Sequence, residues 1–444
     1  MEQNLASYEA SSFAVDASRL QFDENGKIKV EDFPAFVHEW WHYIQDISTI
    51  TGQNGFYLWL RDIIRMTSIT CSGEGKSIEI PLPTDQYEEV FSKYRRLYNI
   101  FCGEKEDVYI KDAAIVNDPV IIPNGVKIDG EERTFAKCEI PMNDKTHYFG
   151  LIALQELNAW YAQKICETYV KGINFNIPAD SLPEFPYKLG DLLFDYYKID
   201  CNLQTRFMIS TLVLDTLQAP AVFLILLRQL SGKTLEYLKD KDEIIRILND
   251  VASQHSYPNS AAYQEWGKDY SNWLNDESHQ MLRDSLKWYL SMIGLADKLK
   301  TDYGKDTLAF SFCCGHNAMN VLYKLLPVPL IKHDGQVLGQ TIDGETPFSI
   351  AAQHDFDNAL VIWSHRRIYD LLRSTARKEM EKNSTCPLYN GGKCPYINRY
   401  DTSKGYDCSM SPWMVVKGEK QALCPYSVAA HSMGLWQNDI VINL

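Results

Sequence analysis

Between residues 33 and 47 the apolar residues recur at helical spacing. Phe33, Phe36, Val37, Trp40, Trp41, Ile44 and Ile47 stand at i, i+3, i+4, i+7, i+8, i+11 and i+14, which at about 100° per residue winds into one apolar stripe. The pattern predicts a helix over roughly 32–50. Pro34 suits its first turn, where a fixed φ and a missing N–H cost nothing, and Gly52 suits its end. Ahead of it, short apolar runs in 12–31 flank Asn25-Gly26, a pair that favours a tight turn, and predict a hairpin. Further helices are expected near 56–69 and 84–103. From 107 to 147 the period falls to two, punctuated by Pro119, Pro123, Asn124-Gly125 and Asp129-Gly130, as in a small antiparallel region. Helix returns over 148–172. Residues 185–382 read as almost wholly helical, with breaks near Asp200, Gly232, Pro258 and Gly304 and a longer one from Pro327 to Pro347. The order predicts an α+β fold, predominantly helical, in three parts: a core over 1–180, a helical region over 181–382 and a Cys-rich segment over 383–444.

The side of the first helix opposite its apolar stripe carries His38, His42 and Asp46. Two histidines four apart differ by about 40° in azimuth, so both imidazoles leave one face and can share a zinc ion. Glu39 then lies beside the metal, placed to take a proton from water rather than to ligate. The competing reading is that these polar groups simply decorate a solvated face. A third ligand must come from elsewhere. Glu156 sits in a helix so apolar (148–162) that a carboxylate is costly there unless paired or metal-bound, and its neighbours Ala153 and Ala159 are small enough for another helix to approach. The alternative for Glu156 is an ion pair with an arginine. Asp46, one turn beyond His42, is a second candidate as ligand or as hydrogen-bond partner of a ligand, and Glu167 a third.

His38-Glu39-x-x-His42 resembles the motif of the zincin metallopeptidases, and Glu156-x-x-Ala159-x-Tyr161 resembles the second-helix motif of their gluzincin branch. The metzincin branch is excluded, because Gln45 and Ser48 stand where its glycine and third histidine belong. The resemblance covers two helices. It implies a zincin-like core with a large helical elaboration, Zn²⁺ held by His38, His42 and Glu156, and Glu39 as the general base of peptide hydrolysis. It also implies a protein or peptide substrate lying along an edge strand, drawn from 107–147 or 12–31. Developing negative charge on the substrate needs a donor opposite the metal, for which His147, Tyr148 and His316 are candidates.

Composition narrows the setting. The chain has 444 residues, 45% of them hydrophobic and 12% aromatic, enough for a sizeable folded core. A net charge of -14 repels phosphate backbones, so nucleic acid is an unexpected partner. The N-terminus lacks an export signal, and the most apolar stretch (219–227) is too short to span a bilayer, so a cytoplasmic protein without a membrane span is expected. Of eleven cysteines, seven (Cys71, Cys102, Cys138, Cys166, Cys201, Cys313 and Cys314) are scattered among apolar residues, as reduced buried thiols would be. Cys386, Cys394, Cys408 and Cys424 cluster in the tail, where they are candidates for a second, structural zinc, for an iron–sulfur cluster, or for ordinary thiols; His431 is a substitute ligand. Two other functions use the same residues. One is a di-iron carboxylate oxidoreductase built from Glu39, His42 and Glu156 with His279 of Asp276-x-x-His279. The other is a non-catalytic metal-binding interaction protein. A regulatory partner or ligand is a further expectation, because a peptidase must be kept from its host.

Overall fold

The computed structural model describes residues 6–10, 12–24, 28–71, 77–80, 82, 100–104, 112–128, 131–170, 185–256, 258–275, 280–333, 336–339, 353–373, 386, 424–435 and 439–442. The chain opens with β1 (Ser7–Glu9) and β2 (Ala14–Asp16), an antiparallel pair whose turn holds Phe13 at a φ of 58°. That left-handed conformation is unfavourable for a bulky residue. It is held because the Phe13 ring is fully buried against Tyr43, Phe56, Trp288 and Tyr289. Next come α1 (Phe33–Ser48), α2 (Ile50–Cys71) and β3 (Ser77–Ile80), then the antiparallel strands β4 (Val120–Ile128), β5 (Glu131–Met142) and β6 (Lys145–Phe149). Helix α3 (Leu151–Tyr169) follows directly.

The remainder is α4 (Leu189–Tyr196), β7 (Asp200–Cys201), α5 (Leu203–Leu214), α6 (Ala219–Gln229), β8 (Thr234–Leu235) and α7 (Tyr237–His255). After these come α8 (Asn259–Asn275), α9 (Gln280–Tyr303), α10 (Thr307–Cys313) and α11 (His316–Leu325). The chain then forms β9 (Leu330–His333), β10 (Gln336–Gly339), α12 (Gln353–Arg373), α13 (Pro425–Ser432) and β11 (Asp439–Ile442). The protein is α+β and predominantly helical. Among the described residues no helix is long and apolar enough to cross a membrane.

Two pairings differ from the pattern read along the chain. Ala14–Asp16 is not confined to the 12–31 segment. It pairs with Ser7–Glu9 on one side and, in parallel, with Leu330–His333 on the other, giving a four-stranded sheet ordered β1-β2-β9-β10. Asp16 and Lys332, opposite each other in that register, form an ion pair at 3.1 Å. Of the hairpin expected across Asn25-Gly26, the described residues show the antiparallel bridge Phe22 to Ile28 and the Lys29 amide donating to the Gln21 carbonyl at 2.8 Å. The second difference lies within 185–382, where the breaks carry strands: β7 pairs with β8, and β9 with β10. Strand β11 lies parallel to β3, so the tail pairs with the first segment. The helix expected over 84–103 falls mostly outside the described residues.

Helix α1 is buried on almost every side. Its apolar stripe packs into the aromatic core, and its polar side faces α3. Gly52 does not end it. Thr49, extended at φ -110° and ψ 148°, breaks the helix, and its hydroxyl then accepts the Gly52 amide at 3.2 Å to start α2. Gly52 is required by contact: a Cβ there would stand 2.3 Å from the Gln45 carbonyl oxygen. Lys300 donates to the Ser48 carbonyl at 2.6 Å, placing a cation at the negative end of α1, and Asp215 accepts from Lys300 at 3.0 Å.

Candidate metal centre

α1 and α3 pack side by side, and the small residues Ala153 and Ala159 are fully buried in that approach. Their facing sides bring His38, His42 and Glu156 together. His38 Nε2 lies 3.1 Å from Glu156 Oε2, His42 Nε2 lies 3.5 Å from the same oxygen, and the two imidazole nitrogens are 3.2 Å apart. Donors held about 2.0–2.2 Å from one tetrahedral ion lie roughly 3.3–3.6 Å from each other. One of the three separations falls in that range and the other two lie 0.1–0.2 Å short of it, close to the edges of one ligand triangle, and nitrogen with carboxylate oxygen is a donor set that suits zinc. These three residues form a group able to hold a metal ion. The histidines are 6% and 9% exposed, while Glu39 and Glu156 are half-buried, so solvent reaches the cluster from the carboxylate side.

The surroundings fix the histidines unequally. His42 Nδ1 meets Gln45 Oε1 at 2.8 Å, whereas His38 Nδ1 is buried without a hydrogen-bond partner among the described residues. Strand β1 covers the cluster from another side. The Tyr8 ring stacks on His42 with centroids 6.1 Å apart, its hydroxyl donates to Asp46 at 2.9 Å, and its backbone amide donates to Glu39. Tyr187 stands on the far side of His38, ring centroids 6.0 Å apart.

Charge couples the group. Burial works against an imidazolium at His42, yet the adjoining Glu156 carboxylate outweighs it and, with Glu39 and Gln45, lifts the pKa to about 9. Burial alone would raise Glu156 as well, but the charge and hydrogen bonds of His42 and His38 hold its carboxyl well below the usual carboxylate range. Glu39 is displaced the other way: burial raises its pKa, aided by the Glu156 charge and opposed by the two histidines. Two neighbouring carboxyls are thus pushed apart, one firmly ionised and one readier to hold a proton.

The remaining candidates lie elsewhere. Asp46 is not in the cluster and is hydrogen-bonded by Tyr8; the partner of His42 Nδ1 is Gln45. Glu167 pairs with Lys164 at 2.8 Å. His147 faces Glu104 at 3.2 Å, Tyr148 is exposed beside Lys137, and His316 contacts Asn320 at 3.0 Å. Tyr161, the aromatic of the second motif, donates to Asp191 at 3.1 Å and so ties α3 to α4. Asp276, His279, Cys394 and Cys408 lie outside the described residues. Cys386 and Cys424 are buried, and both raise the proton affinity of the buried Tyr426 phenol, after burial itself. Among the scattered cysteines, Cys102, Cys138 and Cys166 are buried, but Cys71 and Cys314 are exposed and Cys201 and Cys313 half-buried, against the expectation of seven buried thiols.

Gln45, Asn158, Tyr8 and Tyr187 were not predicted as parts of the site. Gln45 and Asn158 carry a weak signal, being amides among apolar helical residues; Tyr8 and Tyr187 carry none. Comparison with protein-family models, with curated proteins and with solved structures finds no match for this chain.

Proposed function

We propose that the protein is a zinc-dependent peptidase acting on protein or peptide substrates. The observation that carries this reading is the convergence of His38, His42 and Glu156 from two helices, with Glu39 beside them. It agrees with the resemblance of the two motifs to gluzincins. His38, His42 and Glu156 would hold a zinc ion, which when bound would supply a Lewis acid and make water more acidic. Glu39 accepts a proton from the attacking water and returns it to the leaving amine. The same carboxyl thus serves as base and then as acid. Substrate would lie along β1, the end strand of the four-stranded sheet, because the Tyr8 amide already reaches Glu39. Residues 107–147 and 12–31 are the other candidate edges read along the chain.

Metal analysis of wild type, His42→Ala and Glu39→Gln, together with cleavage of a peptide library, tests the reading. Wild type should carry zinc through the three residues and His42→Ala should lose it. Glu39→Gln should keep zinc and lose about 10²–10⁴-fold in rate. Zinc loss in Glu39→Gln equal to that in His42→Ala would make Glu39 a ligand, and iron in place of zinc would point to the oxidoreductase; either removes the proposal.

A further inference from the structure

The orientation of every amide around His42 follows from groups whose polarity is not in doubt. The indole Nε1 of Trp41 can only donate, and it lies 2.8 Å from Asn158, so the Asn158 atom facing it is the carbonyl oxygen. The Asn158 amide nitrogen then faces the Phe207 carbonyl at 3.3 Å and the hydroxyls of Ser210 and Thr211 at 2.8 and 2.9 Å. Both hydroxyls already donate to backbone carbonyls, so they accept from Asn158. Gln45 lies 2.9 Å from the Asn158 oxygen and 3.1 Å from the Gln155 carbonyl, both acceptors, so its amide nitrogen faces them. Its oxygen is left facing His42 Nδ1 at 2.8 Å, and that nitrogen must carry a proton. Neutral His42 is then bare at Nε2, the atom turned toward His38 and Glu156.

We propose that Gln45 is the positioning residue for His42, fixing the tautomer that leaves Nε2 free for a metal ion, and that Asn158 on the Glu156 helix holds Gln45 in that orientation. The proposal rests on the metal reading of the cluster. One buried amide pair thereby sets two ligands on two helices: Gln45 stands three residues from His42, and Asn158 two residues from Glu156. His38 has no such device at Nδ1 among the described residues.

Zinc affinity of the full chain, measured by competition with a chromophoric chelator, tests it with Gln45→Met and Gln45→Glu. Methionine keeps the volume and removes both polar functions, so affinity should fall about 10–100-fold. Glutamate restores an acceptor for His42 Nδ1 but loses the donor to Asn158 and Gln155, so it should recover most of the affinity if holding His42 is what matters. Equal weakening in both variants would reduce Gln45 to a tie between helices and overturn the proposal. So would Gln45→Met binding zinc as wild type does. Wild type failing to bind zinc would remove the metal reading and this proposal with it. Unchanged circular dichroism would show that each variant folds.

Discussion

Among the described residues two glutamates, Glu104 and Glu156, meet buried histidines, and they differ in what surrounds them. At His147 one imidazole meets one carboxylate: Nδ1 faces Glu104 Oε2 at 3.2 Å, the same oxygen takes the Tyr148 amide at 3.1 Å, and Nε2 has no hydrogen-bond partner among the described residues. At His42 the carboxylate contact is made by Nε2, Nδ1 is taken by Gln45, and a second imidazole nitrogen stands 3.2 Å away. A carboxylate and one histidine satisfy each other. At His42 two imidazole nitrogens stand 3.2 Å apart beside one carboxylate oxygen, too close for both to carry protons, so at least one is bare, as a metal ligand must be. What separates a structural pair from a candidate metal centre is therefore which nitrogen points inward, and how many donors share the point.

The sharpest way to break the comparison is to make the same substitution at both carboxylates. Glu156→Gln should weaken zinc binding by more than about 100-fold, because a charged donor to the ion is lost. Glu104→Gln should leave zinc affinity unchanged. Chelator competition on the two variants reads both values, and equal losses would mean that neither cluster is the metal site.

The next effect is smaller and acts through the backbone. Gly52→Ala would place a methyl group 2.3 Å from the Gln45 carbonyl and 2.5 Å from the Asp46 Cα, forcing the end of α1 to shift. The cost should be about 1–3 kcal/mol of stability. Zinc affinity should fall with it, since Gln45 moves, while the environment of His147 stays as it was. Denaturation midpoints and zinc titrations of Gly52→Ala measure the two; a wild-type midpoint would show that the α1–α2 junction yields without strain.

Much of this arrangement is legible along the chain. The stripe from Phe33 to Ile47 specifies α1, and a carboxylate among apolar residues singles out Glu156, because both signals are local. The parts that cannot be read this way depend on distant partners. Ala14–Asp16 is too short to reveal that it pairs with Leu330–His333, and no turn joins the two. Gln45 shows along the chain as an amide among apolar residues and as the absent glycine of another family's pattern, but its work requires Asn158 from a separate helix. Asp46 shows the same dependence: its spacing one turn beyond His42 is local, whereas the Tyr8 hydroxyl that donates to its carboxylate comes from a strand near the N-terminus.

The smallest expected effect sharpens what the His147 pair does. Its carboxylate is partly exposed, with 28% of the Glu104 side chain in contact with solvent, so water screens the charge and an ion pair there contributes little. The hydrogen bonds matter more, because the His147 ring is buried and stacks on Phe185 at 5.7 Å. Glu104→Gln keeps an acceptor for His147 Nδ1 and for the Tyr148 amide, and should change stability by less than about 0.5 kcal/mol. Glu104→Leu removes the acceptor and should cost about 1–2 kcal/mol, the penalty of stranding a buried donor. Chemical denaturation of both variants separates charge from hydrogen bonding. Equal losses would show that the charge of Glu104 is what holds His147, and the two pairs would then differ in the number of converging donors alone.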